Sequence, residues 1–232
     1  MKEISWNRAF YGVDCMDAEI GLSSYPDNYF ELGYTDPEWG VQYSRKFSRG
    51  GLYSGRILKP KEGLEHYEDK FDSEFIFSWL DELKRICKGI IILTGEKNKF
   101  WWIQHTNPKD ELIIHLRNGF AKSPIAWTSR KSTYLFYGEF RNRLKCNVIN
   151  YTLPWGFLSK EKYLHPSPKG TELALKILFQ LKPESLIDPF AGSGSFLKAA
   201  DILGIKWIGY EINKVYKQDF DKRFSQKSIL NY

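Results

Sequence analysis

Short apolar runs alternate with stretches of helical periodicity along most of this chain. Residues 9–13 form one run ending at Asp14, and residues 30–34 a second ending at Thr35-Asp36. Residues 89–94 are an unbroken run rich in isoleucine, as expected for a strand covered on both faces. Further runs at 112–116, 132–137, 185–188 and 206–210 bring the strand candidates to seven. Between them, residues 75–86 and 172–179 place apolar side chains at helical spacing, and 213–224 reads as a closing helix. Strands interleaved with helices predict an α/β domain built on a mostly parallel sheet.

The most informative stretch is Asp188-Pro-Phe-Ala-Gly-Ser-Gly-Ser195. It lies between the run at 185–188 and a helical pattern beginning at Phe196, so it reads as strand, glycine-rich turn and helix. Glycine lets the backbone approach a ligand closely, and a helix start offers unpaired N–H groups. An acid, Glu211, ends the next strand, where a carboxylate accepts from ribose hydroxyls. Together these features read as a nucleoside site. Taken alone, the turn also fits a ligand-free strand-to-helix corner. A dinucleotide site fits less well, because Leu197 stands where the third glycine of G-x-G-x-x-G belongs.

Three segments in a fixed order resemble the DNA amino-methyltransferases, which methylate exocyclic amines of adenine or cytosine. Asp188-Pro-Phe-Ala-Gly-Ser-Gly194 resembles their S-adenosylmethionine loop. His165-Pro-Ser-Pro-Lys-Gly170 resembles the "HPxxKP" segment that precedes it. Tyr25-Pro-Asp-Asn-Tyr-Phe-Glu-Leu-Gly-Tyr-Thr-Asp-Pro-Glu-Trp-Gly40 resembles "LPDNSVDLIFTDPPYG", which carries the family's catalytic motif. Weaker similarity to phage-type members runs through 107–119 and 123–138, so the resemblance covers most of 10–215.

The resemblance implies a Rossmann-like methyltransferase fold in the permuted β-type order, with a seven-stranded sheet in a single domain over 1–232. The chain is then expected to begin at the fold's third strand and end with the helix after its second. S-adenosylmethionine is the implied cofactor and duplex DNA, with its target base flipped, the implied partner. By this likeness Asp36, Pro37, Glu38 and Trp39 form the catalytic turn. Asp36 and the Pro37 carbonyl accept from the target amine, and Trp39 stacks on the extruded base. Asp14 faces the cofactor's adenine amine and Glu211 its ribose. Phe190 packs on the cofactor, within a loop comprising Asp188, Pro189, Phe190, Ala191, Gly192, Ser193 and Gly194. His165 and Lys169 enclose its methionine end. The family writes Asp-Pro-Pro-Tyr where this chain has Glu38 third, which adds charge and removes a stiff residue. Adenine N6 is the expected target because the motif opens with Asp; cytosine N4 and a catalytically weak, DNA-binding partner subunit are the alternatives.

Composition changes this picture little. The net charge of +6 and an aromatic content of 16% suit a polyanion whose bases stack. The basic stretch 44–69 and the proline- and aromatic-rich stretch 141–168 are the candidate DNA-contact loops. Cys15, Cys87 and Cys146 are too scattered for a zinc site or a disulfide framework, and no metal is expected. His66, His105 and His115 lack metal-ligand spacing. No signal-like segment or membrane-length apolar run is present, so a reduced, cytoplasmic setting in a prokaryotic or phage-infected cell is expected, with a homodimer as a candidate assembly.

Overall fold

A computed structural model describes residues 5–37, 72–96, 98–118, 121–122, 128–129, 131–152, 163–165 and 169–226. Eight strands form one sheet in the order β1 (Arg8–Tyr11), β10 (Lys206–Glu211), β9 (Ser185–Asp188), β2 (Phe30–Thr35), β3 (Cys87–Thr94), β7 (Lys131–Gly138), β4 (Asp110–Leu116) and β8 (Val148–Tyr151). Only β7 runs against its neighbours; every other pairing is parallel. A separate two-stranded ribbon joins β5 (Ala121–Lys122) to β6 (Thr128–Ser129).

The sheet is covered on both faces, and β3 shows why its sequence is unbroken. Ile90 and Ile92 enter one apolar layer, while Ile91 and Leu93 enter the other. The first layer contains α1 (Ser73–Ile86), whose residues Ile76, Trp79, Leu80, Leu83 and Ile86 are all buried. Asp72 starts that helix by accepting from the amides of Glu74 and Phe75. Trp102, from α2 (Lys99–Thr106), joins the same layer. The second layer contains α3 (Thr171–Leu181) and α4 (Ser195–Ile202), with α5 (Lys217–Ser225) packed on α4.

The expected order of elements holds, including the permuted closure. The first strand, β1, lies at the edge beside β10, the last. The sheet has eight strands rather than seven because Val148–Tyr151 pairs in parallel with β4. That strand lies inside 141–168, expected to be an irregular loop. Its approach is tied to the far end of α3: Asn142 donates to the Leu181 carbonyl (2.8 Å) and the Lys145 amide to Gln180 (3.0 Å). The basic stretch 44–69 and residues 153–162 lie outside the described residues.

Strands β9 and β2 are adjacent and parallel, but the chain leaves them in opposite senses. After β9 it crosses by α4 to β10 on one side; after β2 it continues to β3 on the other. Such a switch point opens a crevice at the carboxyl ends of the strands, the usual ligand position in α/β sheets. Asp188, Glu211 and Asp36 all end or follow strands at this pole.

Candidate active site

The glycine turn is fixed from three directions. Glu211 at the end of β10 accepts the Gly192 amide on Oε2 and the Asn213 amide on Oε1, each at 2.8 Å. Tyr11 at the end of β1 donates its hydroxyl to the Gly192 carbonyl (2.9 Å). Arg223, buried on α5, donates from Nε to the Ser193 carbonyl and from Nη2 to Ser193 Oγ, both at 2.9 Å. Its Nη1 reaches Thr171 Oγ1 at the start of α3 (2.9 Å). The Ala191 amide also donates to the Tyr210 carbonyl (2.7 Å).

Two glycines in this turn adopt positive φ, Gly192 at +50° and Gly194 at +75°. A Cβ on Gly192 would lie 2.8 Å from His165 Nε2, and one on Gly194 only 2.4 Å from the Phe220 ring. Any side chain here would therefore be both strained and crowded. Gly194 is the residue from which α4 starts. The half-buried Phe190 is held edge-on by Trp79, with ring centres 5.1 Å apart.

Asp188 joins this turn to the end of β2. Its Oδ1 accepts from the Thr35 hydroxyl (2.7 Å) and the Phe190 amide (3.1 Å). Burial pushes its carboxyl from the ordinary value of 3.8 up to about 8, against the lowering effect of those two bonds; the charges of Asp36 and Glu211 add to the rise. A raised carboxyl favours folding below its unfolded value, and that contribution is lost as pH climbs through its folded value. Wild-type stability should thus fall between about pH 4 and pH 8 on this group's account. Asn keeps the acceptor oxygen without the charge. Asp188→Asn is therefore expected to melt progressively higher than wild type as pH rises from about 5 to about 9, by more than about 3 °C at the alkaline end. A difference between the two melting curves that does not change with pH would count against a buried, titrating Asp188.

Asp36 and Pro37 follow β2 directly, and Pro37 is buried. Lys169 Nζ lies 2.7 Å from Asp36 Oδ2. Lys169 was expected at the cofactor's methionine end; the structure instead pairs it with the catalytic candidate. His165 sits where expected, its ring against Gly192 and 4.6 Å from the Tyr216 ring. Its amide and that of Leu164 both donate to the buried Asp219 of α5. Asp14 follows β1 and accepts the Met16 amide on Oδ1 (2.9 Å). Two residues before it, the Gly12 amide donates to the Glu211 carbonyl. Glu38, Trp39 and His66 lie outside the described residues.

Four residues that hold the site were not singled out in the sequence: Tyr11, Thr35, Asp219 and Arg223. The last two have a readable signal. They stand four apart on α5, beside the similarly spaced Phe220 and Phe224 that pack against the core. Charged residues sharing a stripe with core aromatics point inward. Tyr11 and Thr35 look like ordinary strand residues, and only the sheet order brings them to the turn.

Among the described residues no His, Cys, Asp and Glu cluster could hold a metal. His105 and His115 bond the Trp101 carbonyl and Asn150 respectively. Cys15 and Cys87 are buried, and burial pushes both thiols up; the three cysteines are unpaired with one another. No described helix is long and apolar enough to cross a membrane.

Comparison with known proteins agrees with this geometry. The solved structure of M1.HpyAVI in complex with SAM covers 94% of this chain and 100% of its own, at a TM-score of 0.62 and 16% identity. The PvuII DNA methyltransferase, described as cytosine-N4-specific, covers 90% of this chain and 84% of its own at 0.61 and 17%. A DNA modification methylase of Thermus thermophilus, solved with S-adenosyl-L-methionine, covers 94% and 95% at 0.55 and 17%. These likenesses establish the Rossmann-like methyltransferase fold. Among curated proteins, the Type II methyltransferase M.BamHI of Bacillus amyloliquefaciens is 26% identical over 105 residues; the match spans 40% of this chain but only 24% of that protein's length. The family profile of DNA methylases matches residues 96–222. That span exceeds half of the chain and takes in Lys169, the glycine turn and Glu211, so the chain belongs to the DNA methylase family.

Proposed function

We propose that this chain transfers a methyl group from S-adenosylmethionine to an exocyclic amine of a DNA base, with adenine N6 the favoured target. The observation that carries this reading is the meeting of two sites at one pole. The catalytic-motif carboxylate Asp36 follows β2, and the glycine turn with its acid Glu211 belongs to the neighbouring strands β9 and β10.

The residues present suit the cofactor. Glycines that tolerate no Cβ leave the turn's backbone bare for the methionine part. Glu211 is fixed by two amides, yet a carboxylate offers about four lone-pair sites, so it retains acceptor capacity for ribose hydroxyls. Phe190 supplies an apolar surface for a purine, and Asp14 an acceptor for its amine. When bound, S-adenosylmethionine supplies an electrophilic methyl on a positively charged sulfur.

An exocyclic amine is a weak nucleophile because its lone pair is delocalised into the ring. The protein's task is to position and polarise it. The Asp36 carboxylate and the Pro37 carbonyl accept from its two hydrogens, favouring a pyramidal nitrogen and meeting positive charge as it develops. Lys169 engages one Asp36 oxygen and leaves the carboxylate further acceptor capacity. A target base must leave the duplex to reach this crevice, where Trp39 is the stacking candidate. Asp at the head of the motif favours adenine.

Incubating the purified chain with tritiated S-adenosylmethionine and unmethylated bacteriophage DNA tests the reading. Label is expected in the DNA at low ionic strength, with DNA affinity falling steeply as salt rises because phosphate contacts release counterions. Binding of both ligands without transfer would favour the alternative, a non-catalytic partner subunit, to which the departure at Glu38 points.

A further inference from the structure

Lys169 is the unexpected member of the site. It stands just before Gly170, the cap from which α3 starts, and pairs with Asp36 at 2.7 Å. Both side chains are largely enclosed, at 25% and 15% exposure, so water screens this pair less than one at the surface. Three further features give the contact a purpose. Asp36 shares its surroundings with other acids: its charge acts on the buried Asp188, as does that of Glu211. An anion so placed is opposed by its neighbours, and the Lys169 ammonium offsets that opposition. Asp36 also sits at a strand end, where nothing in the ladder fixes a carboxylate's direction. Finally, Lys169 belongs to the segment whose His165 ring abuts Gly192 and whose amides are pinned by Asp219. One segment thus touches the cofactor turn at one end and the catalytic carboxylate at the other.

We propose that Lys169 is a positioning residue for methyl transfer, holding the Asp36 carboxylate charged and aimed so that its remaining acceptor capacity faces the target amine. The inference rests on the reading of Asp36 as the amine's acceptor. A positioning role predicts an effect on turnover rather than on binding, because displacing a reacting group slightly costs rate while leaving remote contacts intact.

Steady-state transfer from tritiated S-adenosylmethionine to bacteriophage DNA, with cofactor affinity measured by calorimetry, tests this. Lys169→Met keeps the aliphatic stem and removes the charge. It should lower kcat by about ten- to a hundredfold, with cofactor affinity and KM for DNA within about threefold of wild type. Lys169→Arg, which restores the cation, should recover most of the lost rate. If wild type transfers methyl and Lys169→Met does so equally well, the inference fails and the functional reading stands. Loss of cofactor affinity in parallel with rate would also overturn it, making Lys169 the cofactor-enclosing residue first expected. No transfer by wild type would overturn the functional reading and this inference with it.

Discussion

Replacing Asp36 by Ala is expected to lower methyl transfer at least about a hundredfold, the scale seen when one preorganised partner of developing charge is removed. Cofactor affinity should change by less than about threefold, since the turn that would bind it is built independently. Glu211, Tyr11 and Arg223 hold the turn from β10, β1 and α5. Its one link to the catalytic strand passes through Thr35 and Asp188, one residue away from Asp36. Asp36→Asn keeps an acceptor oxygen without its charge and should fall between wild type and Ala. Single-turnover transfer beside calorimetry separates the two quantities. A large loss of cofactor affinity in a folded Asp36→Ala protein would place Asp36 in the binding site instead.

Glu211→Ala should have the opposite profile. The carboxylate serves the turn twice, accepting the amides of Gly192 and Asn213, before any ligand is considered. A buried amide left unpaired costs about 1–3 kcal/mol, so the variant loses stability as well as a ribose acceptor. A combined loss near ~2.8 kcal/mol in binding corresponds to about a hundredfold in affinity. S-adenosylmethionine affinity is therefore expected to fall about a hundredfold, with a drop of several degrees in melting temperature. Glu211→Gln retains one carbonyl oxygen, which can serve one amide well, and should be intermediate on both measures. Calorimetry and thermal melts read both effects; an unaltered melting curve would mean that the two amides find other partners.

Much of the fold was legible because burial writes itself into local pattern. The run at 89–94 announced a strand covered twice, and the spacing within 75–86 announced a helix with one buried face. Helix α2 was not readable, because only Trp102 and Thr106 are buried while Phe100 is 80% exposed, so no apolar stripe marks it. Strand β8 was missed for a related reason: it is an edge strand with Val148 exposed, and proline-rich flanks masked it. The motif residues around Asp188 were readable because backbone conformation demands glycine at Gly192 and Gly194. What no local pattern carries is which distant segments meet. Thr35 bonding Asp188, Tyr11 bonding Gly192 and Lys169 reaching Asp36 each join residues more than 130 positions apart. Their meeting depends on the sheet order, which places β1, β10, β9 and β2 side by side.

The most direct measurement is mass spectrometry of deoxynucleosides from unmethylated DNA incubated with the chain and S-adenosylmethionine carrying a deuterated methyl group. Labelled N6-methyldeoxyadenosine is expected, and it should vanish with Asp36→Ala. Label on N4 of deoxycytidine would keep the chemistry and change the target. DNA free of label, from a folded chain that binds both ligands, would contradict the assignment of Asp36 as the acceptor in an amine methyl transfer.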